Sequence, residues 1–355
     1  MAQPATAEAS SSIGAHAASF DETWISRWGR RALTVPLYTA LFLLLLVAFP
    51  ILVPIAALVD LVRGGPWVVL RCLSFFLWYL ACEVAGIGVS LLVWLASPIY
   101  GGTASAKYRE WNFRLQCWWA RTLLAGAQRI FGFTFDLDIP KDIGHGPMLL
   151  FVRHSSVGDT LLPAVFLSNR FGLMLRYVLK RELLWDPCLD IVGHRLPNYF
   201  ARRGSGDSQR EIRAVQSLLD RLGANDGVLI YPEGTRFTFA KRARALERIA
   251  AAGDRELLKA AQRFRRVLPP RLGGPIGLLE RNPGADAVFC AHTGFEAAGT
   301  FADLLRGSLV RARIRVAFWR VPFAEIPRQR DAQITWLLEQ WHRVDDWVEE
   351  NRIVR

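Results

Sequence analysis

The stretch Phe151-Val-Arg-His-Ser-Ser-Val-Gly-Asp159 follows the apolar run Met148-Leu-Leu-Phe-Val152 and precedes a second one, Thr160-Leu-Leu-Pro-Ala-Val-Phe166. Apolar run, polar turn and apolar run in that order read as a buried strand, a turn and a helix. The turn sets His154 and Asp159 five residues apart, with Gly158 easing the bend between them. A histidine that abstracts a proton needs a group to hold its other ring nitrogen, and a carboxylate supplies that. A histidine and an aspartate in one loop also occur as ordinary turn residues. The rest of the chain has to decide between the two readings.

Working outward, short apolar runs alternate with amphipathic ones from residue 133 onward. Strands are expected at Phe133–Leu137, Met148–Val152, Met174–Leu179, Tyr199–Arg202, Val228–Tyr231, Ala287–His292 and Arg313–Trp319. Helices are expected at Asp159–Asn169, Asp207–Leu222, Lys241–Ala251 and Trp336–Glu349, and the Arg- and Ala-rich segment Lys241–Arg266 reads as a basic helical hairpin. The alternation predicts an α/β fold, a mostly parallel sheet flanked by helices, whose ligands gather at the carboxyl ends of strands. The turn from His154 to Asp159 stands at such an end.

Upstream the character is different. Leu33–Val62 and Trp67–Ser97 are almost wholly apolar, and Arg63-Gly-Gly-Pro66 between them is a tight turn. A helix needs about 20 apolar residues to cross a bilayer, so the pair reads as an N-terminal hydrophobic two-helix membrane hairpin. Arg27, Arg30 and Arg31 before it, and Lys107, Arg109 and Arg114 after it, put both ends on the cytoplasmic face. Pro50 and Pro54 kink the first helix, and Glu83 puts a charge near the middle of the second. Full spanning and partial insertion into one leaflet are therefore both open. Tyr108–Phe131 carries tryptophans and arginines at helical spacing, as an interfacial helix does; a helix covering a sheet reads the same way. The expected division is a disordered, basic segment 1–32, the hairpin 33–98, the amphipathic helix 99–130 and an α/β domain 131–355. No small-residue cleavage site follows a short apolar core, which argues against a cleaved signal peptide.

Of the 355 residues 52% are apolar, and the formal charge is +12. With a membrane hairpin present, that charge points to an anionic lipid surface and not to nucleic acid. The five cysteines are scattered, with no C-x-x-C or Cys/His ligand spacing, so neither a disulfide framework nor a zinc site is expected.

Two further stretches carry chemistry. Tyr231-Pro-Glu-Gly-Thr-Arg236 ends an apolar run and brings backbone N–H groups, a hydroxyl and a guanidinium to one turn; arginine suits bidentate phosphate binding. Pro197-Asn-Tyr-Phe-Ala-Arg-Arg203 is an aromatic run ending in paired arginines. Each is also compatible with an ordinary surface turn.

Taken in order, the three blocks resemble the glycerolipid acyltransferases, whose best-known members are the 1-acylglycerol-3-phosphate acyltransferases. The continuation Thr235-Arg-Phe-Thr238 with Lys241, Val267-Leu-Pro-Pro-Arg271 with Gly273-Gly274, and Trp336-Leu-Leu-Glu-Gln-Trp341 with Asp345-Asp346 is similar to one branch of that family. The likeness covers roughly residues 130–350. It departs from the family pattern at Pro197, Tyr231 and Arg153, and Arg153 as an extra cation would lower the pKa of His154 or bind phosphate.

The resemblance implies acyl transfer from acyl-CoA or an acyl carrier protein to a lipid hydroxyl. His154 would be the general base and Asp159 its partner, with no cofactor beyond the acyl donor. Thiolate leaves readily, so no acyl-enzyme is required, and Ser155 and Ser156 read as turn residues. Arg203, Glu233, Gly234, Thr235 and Arg236 would hold the acceptor, Glu233 by fixing Arg236 or bonding a hydroxyl. Pro270 and Arg271 would serve the donor side. Backbone N–H groups after His154 are candidate oxyanion donors, and His194 is a competing base. The acceptor is expected to be a lysophospholipid, lysophosphatidic acid first, with another lysophospholipid, a polyol or a glycolipid headgroup as the alternative. A non-catalytic basic membrane-surface protein on the same fold is the reading from a different class.

Overall fold

The computed structural model describes residues 22–201, 208–299 and 301–352. The disorder expected for residues 1–20, and the arginines Arg202 and Arg203, lie outside the described residues. Seven strands form one sheet: β1 (Thr134–Asp138), β2 (Met148–Val152), β3 (Met174–Lys180), β4 (Tyr199–Ala201), β5 (Asp226–Ile230), β6 (Asp286–Thr293) and β7 (Arg313–Val321). Their order is β1-β7-β6-β2-β5-β3-β4, and every pairing is parallel except β6 with β7. All seven coincide with strands expected from the alternation.

Ten helices accompany them among the described residues: α1 (Trp24–Arg63), α2 (Val68–Leu95), α3 (Ala106–Phe131), α4 (Pro187–Gly193), α5 (Ser208–Gln216), α6 (Phe239–Ala251), α7 (Arg255–Gln262), α8 (Gly273–Glu280), α9 (Phe301–Leu305) and α10 (Arg330–Glu350). The segment expected as a helix at Asp159–Asn169 is helical throughout but irregular: a 3₁₀ turn, Gly158–Leu161, runs through Leu162 and Pro163 into a π-type stretch, Ala164–Asn169. Pro163 lies between them, and a proline has no N–H to continue an α-helical ladder.

Period-2 side-chain alternation explains how the sheet builds two cores. On β2, Leu149 and Phe151 face a cluster with Val228, Ile230, Phe289, Trp336 and Trp341, closed by α5, α8 and α10. Met148, Leu150 and Val152 face the opposite cluster with Leu229, Val288 and Cys290, closed by Leu124 and Phe131 of α3. Cys72 and Phe75 of α2 pack on that second cluster.

α1 and α2 are each long and apolar enough to cross a bilayer. The turn between them is fixed from within: Asp60 is buried and accepts the N–H groups of Val69 (3.0 Å) and Leu70 (2.9 Å), capping α2 from the end of α1. Beyond that turn the two helices part company. α1 leaves Leu44, Val47, Ile51, Leu61 and Val62 more than half exposed. α2 is docked along the α/β domain for most of its length. Phe75 packs on Phe131, the Trp78 indole donates to Thr122 O (3.2 Å), and the Tyr79 hydroxyl donates to Asp186 (3.0 Å). Further on, Arg195 donates to Ser90 O (2.8 Å). Gly126 is what lets Trp78 in, since a Cβ there would meet the indole nitrogen at 1.9 Å.

Glu83, an anomaly in an apolar helix, is fully buried and accepts from Trp119 Nε1 (2.9 Å) and Cys188 N (3.3 Å). Its polarity is met by the domain. α1 also begins at Trp24, earlier than its apolar run, because Thr23 caps it and Arg30 and Arg31 pair with the buried Asp190 of α4 (2.9 and 3.0 Å).

α3 is covered on one side by α2 and on the other by the Ala164–Asn169 turn, while Trp111 and Trp118 remain partly exposed. It covers the sheet, as one reading of its sequence expected.

Candidate active site

The carboxyl ends of β2 and β5 lie side by side, since Phe151 pairs with Ile230. The turns that follow them are thereby brought together. In the first turn Asp159, wholly buried, divides its two oxygens. Oδ1 meets His154 Nδ1 at 3.0 Å, and Oδ2 accepts the N–H groups of Ser155 (2.6 Å) and Ser156 (2.7 Å). Burial pushes the Asp159 carboxyl up. The bond to His154, the neighbouring His292 and His154 rings and the Ser156 N–H outweigh it and hold the group below the ordinary aspartate range. With an ionised carboxylate on Nδ1, the imidazole keeps its proton there and its Nε2 lone pair is available as a base. The ring of Tyr231 lies 4.7 Å from the His154 ring.

Since the Ser155 and Ser156 N–H groups are committed to Asp159, they are not free to serve as the oxyanion donors expected there. Ser156 Oγ donates to Ala298 O (2.9 Å), a turn contact and not a nucleophile's geometry.

The second turn is held by Glu233. Buried and away from the cavity lining, it accepts the N–H of His154 on Oε1 and the N–H of Leu268 on Oε2, both at 2.8 Å. Its carboxylate thus rivets three segments together, whereas the sequence suggested that it fixes Arg236 or bonds an acceptor hydroxyl. Burial, against the Arg153 charge and the two N–H donors, lifts its carboxyl to about 8. Phe237 N donates to His154 O and Arg271 N to Pro232 O, each at 2.8 Å, completing the weave.

Gly234 has φ +65°, and a Cβ on it would meet Arg271 Cδ at 2.8 Å, so the Arg271 side chain lies directly over this glycine. Lys241 donates to Thr235 Oγ1 (3.1 Å) and Arg236 O (3.0 Å), and Arg236 donates to Gly299 O. Gly234, Thr235, Arg236, Lys241 and Arg271 all line the cavity described below. Pro270 is buried outside that lining and shapes the turn that presents Arg271, in place of the contact expected of it. Arg203 lies outside the described residues.

Two further residues are not what the sequence suggested. The Arg153 side chain is buried and turned into the interior, donating to His292 O, Glu296 and Arg266 O, so it neither faces the His154 ring nor reaches a ligand. His194 is held between Asp190 (3.0 Å) and Glu22 (3.6 Å), stacked on Phe200 and outside the cavity lining, which removes it as a competing base.

A third support comes from α10. Asp345 accepts the N–H groups of Arg265, Arg266 and Val267, and Trp341 Nε1 donates to Leu268 O (3.1 Å). The sequence offered these residues only as part of a resemblance, with no sign that they clasp the loop leading to Arg271.

One cavity of about 1420 Å³ joins these groups. His154, Gly234, Thr235, Arg236, Lys241 and Arg271 border one part of it; Phe75, Tyr79, Trp119, Leu123, Leu124 and Phe131 of α2 and α3 border the other. Among the described residues no group of His, Cys, Asp and Glu could hold a metal ion.

Comparison with known proteins bears on this arrangement directly. A family model described as Acyltransferase matches residues 135–271, the span that holds both turns. The chain carries an acyltransferase-family domain. It is 22% identical over 270 residues to mouse (Mus musculus) 1-acyl-sn-glycerol-3-phosphate acyltransferase epsilon, covering 72% of either chain. Among solved structures it is similar to the 1-acyl-sn-glycerophosphate (LPA) acyltransferase PlsC of Thermotoga maritima. That match has 13% identity and a TM-score of 0.45, and covers 75% of this chain and 98% of that one.

Proposed function

We propose that the protein moves a fatty acyl group from acyl-CoA or an acyl carrier protein to the free hydroxyl of a lysophospholipid, with lysophosphatidic acid as acceptor and phosphatidic acid as product. The observation that carries this reading is the continuous cavity, basic at one end, apolar at the other, with His154 on its wall. An amphiphile with an anionic head and a hydrocarbon tail matches both ends, and a headgroup without a tail leaves the apolar part unfilled. The mouse relative's name supports the choice of acceptor.

In this reading His154 Nε2 takes the proton of the acceptor hydroxyl as its oxygen attacks the thioester carbonyl. The tetrahedral intermediate collapses, the carbon–sulfur bond breaks, and the thiolate takes the proton back from His154. Asp159 holds the Nδ1 proton throughout and balances the imidazolium. Arg236 and Lys241, with the hydroxyl of Thr235 and the backbone of Gly234, hold the phosphate and glycerol; Arg271, expected on the donor side, lies over Gly234 and is assigned to the acceptor with them. Glu233 contributes by keeping the two turns in register. General-base catalysis of this kind supplies about 10²–10⁴ in rate.

The hairpin reads as lying in one leaflet. α2 is fixed to the domain from Phe75 to Ser90, which leaves it no room to run perpendicular to a bilayer on one side of the domain, while the bare side of α1 suits lipid. Cysteine labelling should find residues 20–30 and 105–110 on the cytoplasmic side and residues 64 and 65 never accessible from the opposite side.

The deciding experiment is turnover of labelled acyl-CoA by the purified protein with lysophosphatidic acid, other lysophospholipids, a polyol and a glycolipid. Phosphatidic acid formation that is lost in His154→Ala supports the reading. Turnover only with another acceptor removes lysophosphatidic acid, and activity unchanged in His154→Ala removes the mechanism.

A further inference from the structure

Behind the dyad, on the side away from the cavity, stands a second histidine that the sequence left as an ordinary strand residue. His292 lies on β6 and is completely buried. Its Nε2 is 3.0 Å from the carbonyl oxygen of Arg153, the residue immediately before the base, and 3.5 Å from Asp159 Oδ2. The contact is reciprocal, because the Arg153 guanidinium donates to the carbonyl of His292 itself. Burial holds the His292 imidazole below its usual pKa and hence neutral. An acceptor at 3.0 Å then puts its single proton on Nε2. That agrees with Nδ1, which is buried without a hydrogen-bond partner.

We infer that His292 is a positioning residue for the proposed acyl transfer. Its Nε2–H fixes the peptide that carries His154 and presents a positive edge to the outer oxygen of Asp159. This rests on His154 acting as the base. His292 is absent from the cavity lining and cannot touch substrate, so it acts only through Arg153 and Asp159.

The electrostatic consequence has a definite sign. Asp159 Oδ2 shares its charge among the Ser155 and Ser156 N–H groups and the His292 edge. Without that edge, more of the carboxylate's field falls on His154 and the imidazolium is favoured. The other ionisable groups around the dyad are Tyr231, Cys290, Glu233 and the Arg153–Glu296 pair. All of them remain in place in the variants below.

The test compares His292→Gln with His292→Asn in the full chain. A glutamine amide reaches the position of Nε2 and keeps the donor, whereas an asparagine amide ends near Nδ1 and loses it. Expected for Asn is a fall in kcat on the order of tenfold, the scale of losing an outer hydrogen-bond partner of a functional group. KM should stay within about twofold, and the acidic limb of kcat should move to higher pH by a fraction of a unit, about the effect of one weakened charge contact. Gln should retain most of kcat and the wild-type limb. Equal kcat and equal limbs in the two variants would overturn the inference, as would a loss in both that is confined to thermal stability. Wild type and His154→Ala run alongside keep the two claims apart. If His154→Ala is fully active, the base assignment fails; if only the Gln–Asn difference is missing, the role of His292 fails alone.

Discussion

The turns after β2 and β5 are each organised by one buried carboxylate, and the two carboxylates are used in opposite ways. Asp159 spends one oxygen on backbone N–H groups and the other on an imidazole, so its charge is compensated and its pKa is lowered. Glu233 spends both oxygens on backbone N–H groups, of His154 and Leu268, and burial lifts it to about 8. Proximity to the base does not make a carboxylate part of the chemistry; what matters is whether it faces an ionisable group or only the backbone. In the proposed mechanism Asp159 thereby orients and balances the base, and Glu233 serves the architecture.

The sharpest way to break this contrast is Asp159→Asn. The amide oxygen can keep the Ser155 and Ser156 bonds, but the amide nitrogen donates to His154 Nδ1 and forces the ring proton onto Nε2, where the base is needed. Activity should fall by about 10⁴, with the melting temperature little changed. Glu233→Gln should do the reverse. A glutamine offers one acceptor where two N–H groups need one, leaving either His154 N or Leu268 N facing a donor at a cost of about 1–3 kcal/mol. Denaturant unfolding should show the larger deficit in Glu233→Gln and steady-state kinetics the larger deficit in Asp159→Asn. The opposite ranking would undo the assignment of roles.

The pH dependence of stability sharpens the same comparison. Stability tied to Asp159 is present above the unfolded value of 3.8 and is lost as pH falls through its lowered folded value. Stability tied to Glu233 has the other sign. It is present below the unfolded value of 4.5 and is lost as pH rises through about 8. Unfolding measured between pH 5 and pH 9 should therefore show a decline in wild type that is flattened in Glu233→Gln. A decline of the same size in both would assign it to another group.

Smaller effects are expected at the periphery of the two turns. Gly234→Ala strains a positive φ and drives Arg271 aside, so KM for the acceptor should rise by about tenfold with kcat less affected. Asp345→Asn weakens the clasp on residues 265–267 without touching the dyad, and kcat/KM should fall only a few-fold, about 1 kcal/mol. A larger loss at Asp345 than at Gly234 would mean that loop placement, not Arg271 itself, sets acceptor binding.

Much of this was legible in the chain. Short apolar runs alternating with amphipathic ones located all seven strands, and a polar turn after an apolar strand located both His154-to-Asp159 and Tyr231-to-Arg236. What escaped the sequence shares one physical cause: partners brought together by the fold across long separations. Nothing local to Glu233 says that its acceptors are spent on His154 and Leu268. Nothing near Arg153 says that it turns inward to Glu296, and His292 looks like any strand-end residue until β6 is laid beside β2. Glu83 was legible as an anomaly, but its resolution by Trp119 and Cys188 was not.

The clasp from α10 also has a consequence in time. Asp345 grips a loop 79 residues upstream of it, so the segment that presents Arg271 receives its last support only after the whole sheet has been synthesised. A ribosome-bound chain that already reaches Arg236 holds every residue of the two turns and still lacks this brace. The loop therefore stays unbraced during synthesis until α10 emerges.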